Sequence, residues 1–138
     1  MLFPSLYHLF KEGRIPEDLR IIAVGRREYD NQAFFDFLAE EFKKRYKTEF
    51  NQDSWKRFSS IIEYFLGDLG NPKDYQRLGD LLADIDGNSG QCQQKIFYLA
   101  ISPDLYLQTF KGIRETSLNR ACNHEDHNRV KQSVIRDF

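Results

Sequence analysis

Two adjacent guanidinium groups, Arg26 and Arg27, are the side chains of this 138-residue sequence best suited to hold an anion. They close the stretch Arg20-Ile21-Ile22-Ala23-Val24-Gly25-Arg26-Arg27-Glu28-Tyr29, in which four small or branched apolar residues follow one another without a polar break. Such a run reads as a strand buried on both faces, and the glycine and arginines mark its exit at the carboxyl end. In an open parallel sheet that binds a dinucleotide, the second strand ends beside the adenosine ribose. The residue there selects the cofactor: an acid suits a free 2′-hydroxyl, an arginine a 2′-phosphate. A guanidinium presents a planar fork of donors to phosphate oxygens and also stacks on a flat ring such as adenine. The pair therefore favours NADP, against the ordinary alternative that two arginines after a strand form a solvated turn.

The remaining reactive side chains point to less. Cys122, His124, Glu125, Asp126 and His127 are all of metal-ligand type, but their spacing completes no tetrahedral zinc pattern. They read as a polar loop, and no metal site is assigned. Cys92 stands among glutamines with no activating cation beside it and receives no catalytic role. The two cysteines form neither a disulfide framework nor a CxxC pair, which makes a reducing cytoplasm the simplest setting.

Composition narrows the classes further. The length is that of one ordinary domain, and a hydrophobic share of 41% is enough for a core. A net charge of −1, from 20 basic and 21 acidic side chains, supplies no overall field toward nucleic acid or a membrane, so any anion site is local. No apolar run approaches the roughly 20 residues of a membrane span. The opening Met1-Leu2-Phe3-Pro4-Ser5-Leu6-Tyr7-His8-Leu9-Phe10 lacks a basic leader and a small-residue cleavage site, and reads as a soluble helix.

The elements that position the arginines follow from periodicity and caps. Leu2, Leu6, Leu9 and Phe10 recur at helical spacing until Gly13. After the first strand, Asp30-Asn31 caps a helix carrying Phe34, Leu38, Phe42 and Tyr46 at steps of four, with Lys43, Lys44 and Arg45 near its carboxyl end, where cations suit the dipole. A short helix over 54–60 centres on Trp55 and Phe58. Ile61-Ile62-Glu63-Tyr64-Phe65-Leu66 reads as a strand ended by Gly67-Asp68-Leu69-Gly70. Asn71-Pro72 opens a helix with Tyr75, Leu78, Leu81 and Leu82 on one face, and Asp86-Gly87-Asn88-Ser89-Gly90 reads as a surface turn. Lys95-Ile96-Phe97-Tyr98-Leu99-Ala100-Ile101 is the next strand. Ser102-Pro103 leads into a helix with Tyr106, Phe110 and Ile113 inward; residues 115–131 are polar and weakly periodic; Ser133-Val134-Ile135 reads as a last short strand. The alternation of helix and strand implies an α/β fold with a parallel sheet and right-handed crossovers.

Four segments taken together resemble the coenzyme domain of the glucose-6-phosphate dehydrogenase family: Leu2-Phe3-Pro4-Ser5-Leu6-Tyr7-His8-Leu9, Leu19-Arg20-Ile21-Ile22-Ala23-Val24-Gly25-Arg26-Arg27-Glu28, Asp74-Tyr75-Gln76-Arg77-Leu78, and Lys95-Ile96-Phe97-Tyr98-Leu99-Ala100-Ile101-Ser102-Pro103. They occur in the family's order and at about its spacing. The resemblance implies oxidation of glucose 6-phosphate at C1, with hydride passing to NADP, at the entry to the pentose phosphate pathway. It implies that Arg26 is the 2′-phosphate arginine, that Arg27 stacks on adenine, that Asp68 and Leu69 lie beside the adenosine, and that Tyr98 is associated with the coenzyme. From the residues alone, Tyr98 reads equally as core packing on a buried strand, and Asp68 as a turn former.

The same resemblance implies what this sequence does not carry. The family's first strand and its Gly-rich GxxGDL turn, which hold the pyrophosphate at the start of the first helix, would stand before Leu2. The expected architecture is a Rossmann-like parallel sheet with flanking helices lacking that strand and loop. Residues 1–138 form a partial NADP-binding domain, with the catalytic substrate domain absent. That first strand is central in the family, so its absence is expected to leave the strands at 21–24 and 95–101 facing one another across an unpaired gap, with low stability as a free monomer. At the other end, Val134-Ile135 lead in the family to a Glu-Lys-Pro motif, whereas here Arg136-Asp137-Phe138 follow. No catalytic residue is assigned, and the chain alone is expected to be inactive. The competing readings are a non-catalytic interaction module or gene remnant that docks on another subunit by strand addition, and a different Rossmann-type nucleotide binder.

Overall fold

The computed structural model describes residues 2–47, 50–90 and 94–118, together with the backbone of a strand at 132–137. In chain order the elements are α1 (Leu2–Lys11), β1 (Arg20–Gly25), α2 (Asn31–Arg45), α3 (Gln52–Ser59), β2 (Ile62–Leu66), α4 (Pro72–Ser89), β3 (Gln94–Phe97), a 3-10 turn (Pro103–Leu105), α5 (Tyr106–Glu115) and β4 (Gln132–Asp137). The strands form one parallel sheet in the order β2-β1-β4-β3.

β1 is the strand on which both layers rest. Its side chains alternate between two cores. Ile21 and Ala23 pack with Phe3, Tyr7, Phe34, Leu38, Phe42, Trp55 and Phe58 from α1, α2 and α3. Ile22 and Val24 pack with Tyr75, Leu78, Leu82 and Ile113 from α4 and α5. Each of the three branched side chains at 21, 22 and 24 is at most 2% exposed, and such burial is worth about 1.5–3 kcal/mol per side chain. The first core is aromatic: the Tyr7 ring meets Phe42 edge-on at 4.9 Å and Trp55 at 5.2 Å, and its hydroxyl donates to the Asn51 carbonyl at 3.1 Å. That bond satisfies the one polar atom the ring carries into the core.

Local chemistry sets the helix ends. Asp30 caps α2 by accepting from the Ala33 N–H at 2.7 Å, Asn51 caps α3 from the Ser54 N–H at 2.9 Å, and Asn71 caps α4 ahead of Pro72. The expected turn at 86–89 is helical instead. α4 continues through Ser89 and stops where Gly90 turns left-handed at φ 64°, the usual exit for a helix ended by glycine. Two faces are rotated from expectation. α1 buries Phe3, Pro4 and Tyr7 in place of the leucine stripe, because the facing core is built of rings. α5 buries Thr109 and Ile113, while Tyr106 and Phe110 are 38% and 56% exposed. Gly112 lets α5 close onto α4: a Cβ there would stand 2.4 Å from the Tyr75 ring.

The expected gap beside β1 is closed. β4 pairs in parallel with β1 over Arg20↔Ser133 to Val24↔Asp137, and with β3 over Gln94↔Gln132 to Phe97↔Ile135. The backbone groups of a buried strand have no water to turn to, so both edges of the gap gain by receiving a strand. The crossovers are also not all of one hand. β1 to β2 steps one way over the face that carries α2; β2 to β3 steps the opposite way over the other face, which gives the same hand. β3 to β4 steps back toward β2 while α5 lies on the face that carries α4, so this last connection is of the opposite hand. β3 is shorter than expected, ending at Phe97, and lies at the sheet's edge.

Gly112→Ala is expected to lower stability by about 1–3 kcal/mol, since the added methyl overlaps a buried ring. Urea unfolding of both chains measures it, and an unchanged midpoint would mean that the Tyr75 contact does not close in solution.

Candidate functional site

In a parallel sheet the ligand-binding crevice lies beyond the carboxyl ends of the strands. Here those ends present, in spatial order, Asp68 and Leu69 after β2, Arg26 and Arg27 after β1, the end of β4, and Tyr98 after β3. The first two pairs are adjacent: the Gly67 N–H donates to the Gly25 carbonyl at 2.9 Å, extending the ladder to the point where both loops leave the sheet. Tyr98 is two strands away from β1, about 10 Å at the usual spacing. It is 45% exposed, which excludes the reading of Tyr98 as a core residue on a buried strand.

Arg26 and Arg27 are exposed, but the backbone beneath them is fixed. The Tyr64 hydroxyl donates to the Arg27 carbonyl at 2.8 Å, and the Tyr29 N–H donates to the same oxygen at 2.9 Å. Asn31 accepts from the Tyr64 N–H at 2.8 Å, tying the start of α2 to β2. Tyr29 stacks on Phe37 and meets Tyr64 edge-on, so the loop between β1 and α2 lies on a floor of rings. Two guanidinium groups are thereby held at the sheet edge with their heads in solvent, where an anion can reach them.

The loop after β2 is held as firmly. Asp68 accepts the Gly70 N–H at 2.8 Å, an Asx turn, so its side chain acts as a turn former here. The Asp68 N–H donates to Asp74 at 2.8 Å, and Asp74 also takes Arg77 at 2.8 Å. Arg77 lies over the Phe65 ring at 5.0 Å. The Tyr75 hydroxyl donates to the Leu69 carbonyl at 2.9 Å. The Asp68 N–H, and secondarily Arg77, hold the Asp74 carboxyl below its ordinary range. Arg77 is therefore a structural cation, and Arg26 and Arg27 are the pair at this edge presented to solvent.

The hollows nearby do not take a base. An apolar pocket of about 20 Å³ behind the edge, lined by Val24, Leu69, Leu99, Ile101 and Thr109, has room for one water. A planar ring would lie against the outer edge. The larger hollow, about 420 Å³, sits near Lys95 at the amino end of β3, and its lining includes Asp80, Asp86 and Glu115. Lys95 is paired with Asp86 at 2.7 Å, so nothing there favours an anion. His8 is exposed and pairs with Glu12 at 3.2 Å. Cys92 and the cluster Cys122, His124, Glu125, Asp126 and His127 lie outside the described residues.

Periodicity did not single out Tyr64, Asp74, Arg77 or Tyr75 as supports of the edge. The one readable sign was the i, i+3 spacing of Asp74 and Arg77 on a helix, which places opposite charges together.

Residues 1–132 match the family described as "Glucose-6-phosphate dehydrogenase, NAD binding domain". The chain belongs to the glucose-6-phosphate dehydrogenase family. It is 28% identical over 120 residues to the glucose-6-phosphate 1-dehydrogenase of Schizosaccharomyces pombe, covering 87% of this chain and 23% of that protein. With the Zymomonas mobilis enzyme it shares 31% identity over 120 residues, covering 86% and 23%. In fold it is similar to a solved glucose-6-phosphate dehydrogenase in complex with its substrate glucose-6-phosphate, with TM-score 0.72 at 16% identity, covering 98% of this chain and 26% of that one. It is also similar to the Mycobacterium avium glucose-6-phosphate 1-dehydrogenase, with TM-score 0.71 at 18% identity, covering 97% and 26%. The chain thus spans about a quarter of the dehydrogenases it matches, the part that corresponds to their nicotinamide-dinucleotide-binding domain.

Because the Asp74 carboxyl is held below its ordinary value in the folded chain, its contribution is present above the unfolded pKa of about 4 and is lost as pH falls through the lower folded value. Asp74→Asn is therefore expected to destabilise the chain at neutral pH, with the difference shrinking below about pH 4. Urea midpoints at pH 7 and pH 3 test this, and a difference that does not shrink in acid would exclude the carboxylate as its source.

Proposed function

We propose that this chain is the NADP-binding part of a glucose-6-phosphate dehydrogenase, with Arg26 binding the 2′-phosphate and Arg27 stacking on adenine. The observation that carries the reading is the exposed arginine pair at the carboxyl end of β1, on a backbone fixed by Tyr64. A 2′-phosphate is the group that distinguishes NADP from NAD, and a pair of guanidinium forks on an anchored backbone is the donor set that favours it. The residues present thus fit the adenosine end of the coenzyme. Asp68 and Leu69 form the adjoining wall through their backbone turn. Tyr98 contributes from the far side of the edge, toward the rest of the coenzyme.

When bound, the nicotinamide ring supplies the hydride acceptor. The residues of this chain bind and orient. In the whole protein the oxidised group is C1 of glucose 6-phosphate, in the first step of the pentose phosphate pathway, and the setting is the cytoplasm. The general base and the sugar-phosphate site belong to the substrate domain, so this chain alone is expected to show no turnover.

Thermal unfolding with millimolar NADP, and with NAD as control, tests the assignment. NADP is expected to raise the midpoint more than NAD, because a ligand stabilises the state it binds, by about 2.7 kcal/mol when present at a hundred times its dissociation constant. Arg26→Ala is expected to remove the difference between the nucleotides while leaving the midpoint of the unliganded chain within about 0.5 kcal/mol of the original, as for an exposed side chain. Equal shifts from NADP and NAD in the unmodified chain would overturn the arginine assignment.

A further inference from the structure

Tyr64 belongs to β2, yet it holds the loop between β1 and α2 at two points. Its N–H donates to the Asn31 side chain at 2.8 Å, at the first residue of α2, and its hydroxyl donates to the Arg27 carbonyl at 2.8 Å. The ring lies 4.5 Å from that of Phe34 and meets Tyr29 edge-on at 5.7 Å, and the residue is only 8% exposed. Its register partner on β1 is Ala23, whose single methyl leaves the ring room to run along the strand toward the loop. One buried residue of the neighbouring strand thus clasps 27–31 at both ends.

The clasp bears on the arginines because of where it closes. The Gly25 carbonyl accepts the Gly67 N–H at 2.9 Å, and two residues further on the Arg27 carbonyl accepts the Tyr64 hydroxyl. Arg26 and Arg27 therefore lie between two anchors, both supplied by β2 and the turn that follows it. The Arg27 oxygen also accepts the Tyr29 N–H at 2.9 Å, which closes a three-residue γ-turn. That bond moves with the loop, whereas the hydroxyl ties the loop to the sheet. Removing the hydroxyl leaves the oxygen bonded, so the fold loses little, while the peptide after Arg27 gains freedom to swing. An exposed guanidinium already gives up rotamer freedom when a ligand holds it, and a swinging backbone adds to that cost. The cost falls most on a ligand that engages both guanidinium groups at once.

We propose that Tyr64 is a positioning residue that sets the preference for a 2′-phosphate, acting through the Arg27 carbonyl and touching no ligand itself. This rests on the coenzyme reading of the arginine pair, in which Arg26 takes the 2′-phosphate while Arg27 stacks on adenine. To it is added a determinant of specificity on the neighbouring strand, buried beneath the loop.

The test uses the full chain with adenosine 2′,5′-bisphosphate and adenosine 5′-phosphate as probes, which differ only in the 2′-phosphate. Calorimetric titration gives the ratio of their dissociation constants. Tyr64→Phe keeps the ring and its packing, and is expected to lower the preference for the bisphosphate about fivefold, the order that a single neutral hydrogen bond supports. Tyr75→Phe is the control. Its hydroxyl is a comparable anchor from the other core, donating to the Leu69 carbonyl at 2.9 Å, and its loss is expected to leave the preference unchanged. Asn31→Ala opens the other end of the clasp with the Tyr64 side chain intact; it is expected to lower the preference as well, and serves if Tyr64→Phe folds poorly. A preference untouched by both Tyr64→Phe and Asn31→Ala, or lowered equally by Tyr75→Phe, would overturn the role of Tyr64 and leave the arginine assignment in place. Equal weakening of the two probes by Tyr64→Phe would overturn it too, as the mark of a purely structural side chain. Failure of the arginine assignment reads differently: the unmodified chain would bind both probes equally, and the role of Tyr64 would fall with it.

Discussion

The ladder of β1 is the constraint from which the rest of the structure follows. Five consecutive residues of this strand are buried, so their peptide groups have only neighbouring strands to bond. β2 satisfies one edge in register from Ile21↔Ile62 to Gly25↔Leu66. The other edge is met by β4, which comes from the far end of the chain. A strand with a mixed sequence and a connection of the rarer hand are accepted because an open edge here would leave several buried polar groups unpaired, each at a cost of about 1–3 kcal/mol.

The two faces of β1 have different characters, and the site depends on the difference. The face toward α1, α2 and α3 is a mass of rings, and their edge contacts extend to Tyr29 and Tyr64 under the arginine loop. The face toward α4 and α5 is mainly aliphatic, with the rings of Phe65 and Tyr75 buried in it, and the Tyr75 hydroxyl holds the Leu69 carbonyl. Each core thus sends a tyrosine hydroxyl to the carboxyl edge of the sheet, one to the loop after β1 and one to the loop after β2. The backbone of both loops is anchored by residues of the cores.

Much of this was legible in the sequence. The apolar run at 21–24, the caps at Asp30 and Asn71, and the arginines after Gly25 located the central strand, two helices and the candidate edge. Spacing places Phe110 inward, yet it is 56% exposed; of the two readings of Tyr98, core packing is the one that its 45% exposure excludes, since it follows a strand at the sheet's edge. The leucine spacing of α1 predicts a buried leucine stripe, but a facing wall of Phe34, Phe42 and Phe58 is matched better by Phe3 and Tyr7. The place of β4 was not readable at all. Spatial order between strands far apart in sequence depends on which edges remain open once the others have paired, and no local signal encodes that.

The contact between Tyr75 and Gly112 links two positions 37 residues apart in the chain through a single ring. The ring occupies the space a side chain at 112 would need, and its hydroxyl shapes the loop at Leu69. These two positions are therefore not free to drift separately. A lineage that gains bulk at position 112 must first give up the aromatic at 75, and with it the hydroxyl that shapes the loop after β2. The evolutionary latitude of the outer helix is in this way rationed by the carboxyl edge of the sheet.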